Sequence, residues 1–301
     1  MTITEELMAA NPAFNRLEQD ARSGYAAFRD GTTPAAPQGP RAYPQQSYPQ
    51  QSYGQPGVPV GQDRLEHMYN APSATPVQAG RVTMDDVIMK TLGLFAIVLA
   101  FGAAGWFAAA TNPGLGFMLW MGGMIGTLIL GLVIAFKKTL SVPLILGYAA
   151  LEGLFVGAVS QFFETMYGGI VAQAVLATLA TFAGMFAAYK FGLIKVTDKF
   201  RRIVTMMIFG YAIFAVVNFI FAMVTNTAFG FGGSGTVGIL ISLFAVGLAS
   251  VSLALDFDSV DRAIATGAPQ KYSWLLAHGI IVTLVWLYIE FLRLFARLRS
   301  E

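Results

Sequence analysis

Seven apolar runs, each long enough to cross a bilayer, follow one another between residues 91 and 292, and they dictate what this part of the chain can become. A hydrocarbon core of ~30 Å takes about 20 residues of helix at 1.5 Å each. The runs cover residues 91–110, 114–136, 142–163, 168–189, 203–224, 237–255 and 272–292. Connections are short, such as TNPG at 111–114, so consecutive spans are expected to pack as antiparallel hairpins. The predicted fold is therefore an all-α integral membrane protein of seven transmembrane helices, grouped as three hairpins and a last helix.

Apolar residues make up 55% of the chain and charged residues 12%, which excludes a soluble globule. The average hides two regions. Residues 1–83 carry charge, proline and glutamine, and read as a disordered cytoplasmic tail before a transmembrane domain at 84–301. Within the tail, Phe14, Leu17, Ala21 and Tyr25 recur at helical spacing and could form a weak amphipathic helix over 10–28, either solvated or docked on lipid or a partner. The pentad YPQQS at 43–47 repeats at 48–52 and is too poor in aliphatic residues to build a core. The opening MTITEELMAANPAF is acidic and lacks an apolar stretch, so the first span is expected to act as an uncleaved signal.

Lysine and arginine set the expected orientation, because cytoplasmic loops retain positive charge. Arg81 and Lys90 precede the first span; Lys137 and Lys138 follow the second, Lys190 to Arg202 the fourth, and Arg262 and Lys271 the sixth. Loops after the first, third and fifth spans hold none. This places the protein in the cell membrane as a multi-pass chain with its amino terminus in the cytoplasm and its carboxy terminus outside. Arg293, Arg297 and Arg299 run against that rule, and a re-entrant last segment is the alternative. The net charge of +2 gives no footprint for nucleic acid, and the absence of cysteine excludes disulfides and thiolate metal sites. Pairs of small residues at four-residue spacing, Gly122 with Gly126 and Gly153 with Gly157, are expected to let helices approach closely.

A carboxylate inside a span costs about 2.5 to 3.5 kcal/mol and needs a partner, a proton or water. Glu152 lies ten residues into the third run, and could be a protonated structural acid or a relay point for a proton or cation. Asp256, Asp258 and Asp261 follow the sixth run. At 100° per residue Asp256 and Asp258 lie about 200° apart, so only one can face the bundle interior, and Asp256 is the better placed. His278 lies at a depth similar to that of Asp256 and could pair with it as a pH-sensitive ion pair, or be satisfied by a backbone carbonyl. Glu290 lies near the outer boundary, with Arg293 three residues on as its companion.

Enzyme motifs fail on position. The sequence Gly232-Gly233-Ser234-Gly235 is similar to the nucleophile motif of rhomboid proteases, but Ser234 precedes the sixth span on the outer side whereas His278 lies near the inner side. No HExxH, GxGD or P-loop is present, and no enzyme activity is expected.

The segment LALDFDSVDRAIATGAPQKYSWLLAHGIIVTLVWLYIEFLRLFARL resembles the last two helices of the transmembrane Bax inhibitor motif family; LEGLFVGAVSQFFE in the third span resembles its acidic and glycine-bearing segment, and NPAFNR at the start resembles a bacterial branch with long tails. The resemblance, carried mainly by residues 84–299, implies three hairpins around a central last helix and, as in several members, a pH-sensitive passive calcium leak needing no cofactor. It also implies an aspartate latch between the sixth and seventh helices, in which two carboxylates share a proton. Asp256 matches the first position and is the residue that calcium would meet; the second falls at Val282 or Thr283, neither of them acidic. A modified latch would use Thr283 as a hydrogen-bond donor or His278 as a charge partner. The alternative implied function is that of a non-transporting regulator that binds a membrane-embedded quality-control protease.

Overall fold

The computed structural model describes residues 80–300 apart from Lys138 and Ala228. The readings of the tail, its amphipathic helix and its repeats lie outside the described residues. Seven helices make up the described chain: α1 (Met84–Thr111), α2 (Pro113–Phe136), α3 (Val142–Met166), α4 (Ile170–Lys190), α5 (Asp198–Thr225), α6 (Thr236–Ala265) and α7 (Tyr272–Arg299). All are long and apolar enough to cross a membrane, and the protein is an all-α membrane protein.

Several helices run beyond their apolar cores, because local caps hold charged turns in helical form. Thr83 accepts from Asp86 N at the start of α1, and Thr197 accepts from Phe200 N at the start of α5. Asn112 ends α1 and caps α2, where it accepts from Leu115 N at 3.1 Å, and Pro113 supplies a first helical residue that needs no N–H. Between α3 and α4, Glu164 reaches over the turn to accept from Gly169 N at 2.5 Å and Val171 N at 3.1 Å. Gly169, at φ +80°, supplies the left-handed residue this turn requires.

The last helix is the axis of the bundle. Ala277, Leu287, Leu292 and Ala296 on α7 are fully buried, and α7 packs against α1, α3, α4 and α6. The hairpins also interlock, since α1 lies more extensively on α3 than on its own partner α2. Glycine makes that contact: a Cβ on Gly153 would stand 2.6 Å from Val98 O, and one on Gly157 only 2.0 Å from Gly102 O. Where lipid supplies no hydrophobic drive between helices, such close approach is what packs them. The expected pair Gly122 and Gly126 is corrected in part. Gly126 meets Leu151, but Gly122 faces open space, and Gly123 is the residue pressed on Phe155.

These geometries predict opposite outcomes for one added methyl. Gly157→Ala must push against rigid backbone on α1 and is expected to lower stability by about 1 to 3 kcal/mol. Gly122→Ala meets nothing and is expected to be neutral or to stabilise its helix by up to about 1 kcal/mol. Unfolding midpoints in mixed micelles check both; equal effects would contradict the packing described.

Candidate functional site

The bundle end that holds the α6–α7 connection is tied together by polar side chains. Val82 N donates to Ala268 O at 2.8 Å and Gln270 N to Gly80 O at 2.7 Å, which clips the segment before α1 to the loop before α7. Gln270 donates to both oxygens of Asp86 at 3.0 Å, while Lys90 bonds Ser273 and lies over the Trp274 ring. Tyr189 at the end of α4 donates to Asp261 at 2.8 Å. Asp258 accepts from Arg201 of α5 and from Arg262 Nε at 2.8 Å. Asp258 is thus engaged by two guanidinium groups and stands apart from Asp256, as the 200° separation requires.

Deeper in the bundle, two carboxylates with incomplete bonding flank the first half of α7. On α3, Tyr148 donates to Glu152 Oε1 at 2.9 Å, a pairing that i and i+4 spacing allows. Glu152 is 4% exposed, and its Oε2 has no hydrogen-bond partner. On α6, Asp256 Oδ2 is buried and likewise without a partner. Its Oδ1 lies 3.8 Å from the place a Cβ would occupy on Gly279, and Thr283, one turn further along α7, supplies the side chain that interacts with the carboxylate. An orphaned carboxylate oxygen away from water is costly, so each of these sites calls for a proton, a water or a cation.

His278 belongs to the first of these sites. Its ring stands edge-on to Tyr148 with centroids 4.5 Å apart, and no hydrogen bond or ion pair joins it to Asp256. The expected charge pair of His278 and Asp256 is therefore replaced by a contact between His278 and Tyr148. The reason is helical phase: His278 and Gly279 are consecutive, about 100° apart, so the residue before the one facing α6 looks toward α3.

At the other end of α7, Glu290 is 3% exposed and sits among three donors: Tyr211 of α5 at 2.6 Å, Trp286 at 3.2 Å and Arg293 at 3.4 Å. The Arg293 pairing follows from spacing, whereas Tyr211 is reached only through the packing of α5. Arg297 is fully buried, with its guanidinium bonded to the carbonyls of Gly238 and, at 3.0 Å, Phe229. Arg299 holds the carbonyls of Tyr167 and Gly168, both at 2.9 Å. Arg299 thus closes the α3–α4 turn and Arg297 the α5–α6 turn. Where a re-entrant last segment was the alternative, α7 is one continuous helix of 28 residues, long and apolar enough to cross a membrane.

Among the described residues no group of three or more histidine, cysteine or acidic side chains could hold a metal ion. Asp256 and Thr283 are two oxygen-bearing side chains, far short of the six to eight oxygens a resident calcium takes. The site can attract a cation and exchange a proton.

Fold and site together define a multi-pass helical membrane protein with buried acids set around a central last helix. The family model described as Bax inhibitor 1 like matches residues 11–300, and the chain belongs to that family. The match begins at Asn11, the first residue of NPAFNR, so it extends through the tail beyond residues 84–299. No curated protein matches the chain.

Proposed function

We propose that the protein is a pH-dependent passive cation leak of the cytoplasmic membrane, with calcium as the carried ion. The observation that supports this most is Asp256, whose buried Oδ2 lacks a partner while the carboxylate faces Gly279 and Thr283 on the central helix. An unprotonated carboxylate there attracts a cation; a protonated one is neutral and does not. Flux therefore falls as pH falls through the titration of Asp256. With so few oxygen ligands the ion keeps most of its water and passes without being stored.

On this reading the form of the pH response follows from the two side chains. Thr283 can donate a hydrogen bond but carries no titrating proton, so Asp256 responds as a single acid. Thr283→Asp would place a second carboxylate beside it, and two such groups titrate as a coupled pair in two steps. Calcium flux into liposomes measured against pH is expected to show one step for the native protein and a broader, two-step profile for Thr283→Asp. Superimposable profiles would count against the Asp256–Thr283 site as the sensor.

A further inference from the structure

A cleft of about 820 Å³ opens sideways between α1 and α4, with α3, α6 and α7 as its floor. Its walls are almost wholly apolar, and Leu92 and Leu99 of α1 and Val175 and Leu179 of α4 remain exposed along it. It follows α4 from Val171 to Lys190, ~28 Å of helix. At one end Tyr189, Lys190 and Asp261 also line a smaller recess of about 310 Å³, to which Lys195 and Asp258 contribute.

The charges of that recess are not balanced among themselves. Asp258 is held by Arg201 and Arg262, and Asp261 accepts from Tyr189 at 2.8 Å. Lys190 and Lys195, both exposed, make no hydrogen bond or ion pair with any described residue. The connection from α4 into α5 carries Lys190, Lys195, Lys199, Arg201 and Arg202 against the single acid Asp198. The Asp261 carboxylate keeps its charge, but Lys190, Lys195, Arg201 and Arg262 outweigh Asp258 and Asp261, so an apolar slot that ends at this cationic recess is complementary to a molecule with an apolar tail and an anionic head.

We propose that the α1–α4 cleft holds one anionic phospholipid, with an acyl chain in the slot and its phosphate at Lys190 and Lys195. Lipid tails are as apolar as the slot, so the tail brings no preference of its own. Selection resides in the lysines, each of which favours an anionic headgroup by roughly five-fold. Asp256 does not line the cleft, and the proposal does not depend on the leak reading.

Native mass spectrometry of the detergent-purified full chain, offered equal amounts of phosphatidylglycerol and phosphatidylcholine, tests this. Retention of phosphatidylglycerol is expected to exceed that of phosphatidylcholine by on the order of twenty-fold. The double variant Lys190→Ala, Lys195→Ala is expected to bring the two lipids to near equality. Leu92→Trp with Val175→Trp fills the slot from exposed wall positions and is expected to reduce retention of both lipids, with the melting temperature in lipid-free detergent unchanged. Equal retention by the native chain, a preference that survives loss of both lysines, retention that survives the filled slot, or a polypeptide held in place of lipid would each overturn the proposal.

Discussion

Replacing Arg297 with methionine is expected to destabilise the protein by about 3 to 5 kcal/mol, the largest effect of any single substitution on α7. The guanidinium is fully buried and bonds the carbonyls of Gly238 and Phe229, and hydrogen bonds from a charged donor contribute about 1.5 to 3 kcal/mol each. Methionine fills much of the space but leaves both carbonyls without a donor. It also frees the α5–α6 turn, which is otherwise held by Asn218, whose Oδ1 accepts from Phe231 N at 2.7 Å. Arg299→Met, at the exposed end of the helix, is expected to cost less than about 1 kcal/mol. Denaturant titrations in mixed micelles separate the two. A loss below about 1 kcal/mol for Arg297→Met would show that the buried cation's own desolvation cost cancels its bonds.

Asp256→Asn is expected to remove the pH dependence of calcium flux. The amide keeps the shape of the side chain and its reach toward Thr283 but carries neither charge nor titrating proton. The ratio of fluxes at pH 8 and pH 6, above one in the native protein, is expected to fall to about one in the variant. Asp258→Asn provides the contrast. That residue is bound to Arg201 and Arg262, so its loss is expected to weaken the junction of α5 with α6 while leaving a pH-dependent flux in whatever protein remains folded. The same residual pH profile in both variants would remove Asp256 from the mechanism.

The number and order of the helices were legible because apolar runs of membrane-spanning length admit one reading. Their ends were not: hydropathy stops where charge begins, whereas the helices continue through Asp86, Asp198 and Asp258 under Thr83 and Thr197 caps or through tertiary ion pairs. Helical phase within one segment was enough to set Asp256 and Asp258 on different faces of α6, with Asp258 turned to Arg201 of α5. Phase alone says nothing of how neighbouring helices are rotated, and so His278 was matched to Asp256 rather than to Tyr148. Tyr148 itself stands four residues before Glu152, a spacing that could have marked it as the acid's partner. Tyr211, 79 positions from Glu290, left no such signal. The arginines at the end of α7 were read as loop charges because nothing local reveals a guanidinium aimed at the carbonyls of another helix.

The measurement that tests the central claim most directly is calcium entry into liposomes containing the purified, inserted protein, followed from pH 6 to pH 8 beside empty liposomes. The account predicts flux above the empty control that rises with pH and loses that rise in Asp256→Asn. No flux above the control from folded, inserted protein would contradict the leak and leave a membrane regulator as the reading to pursue.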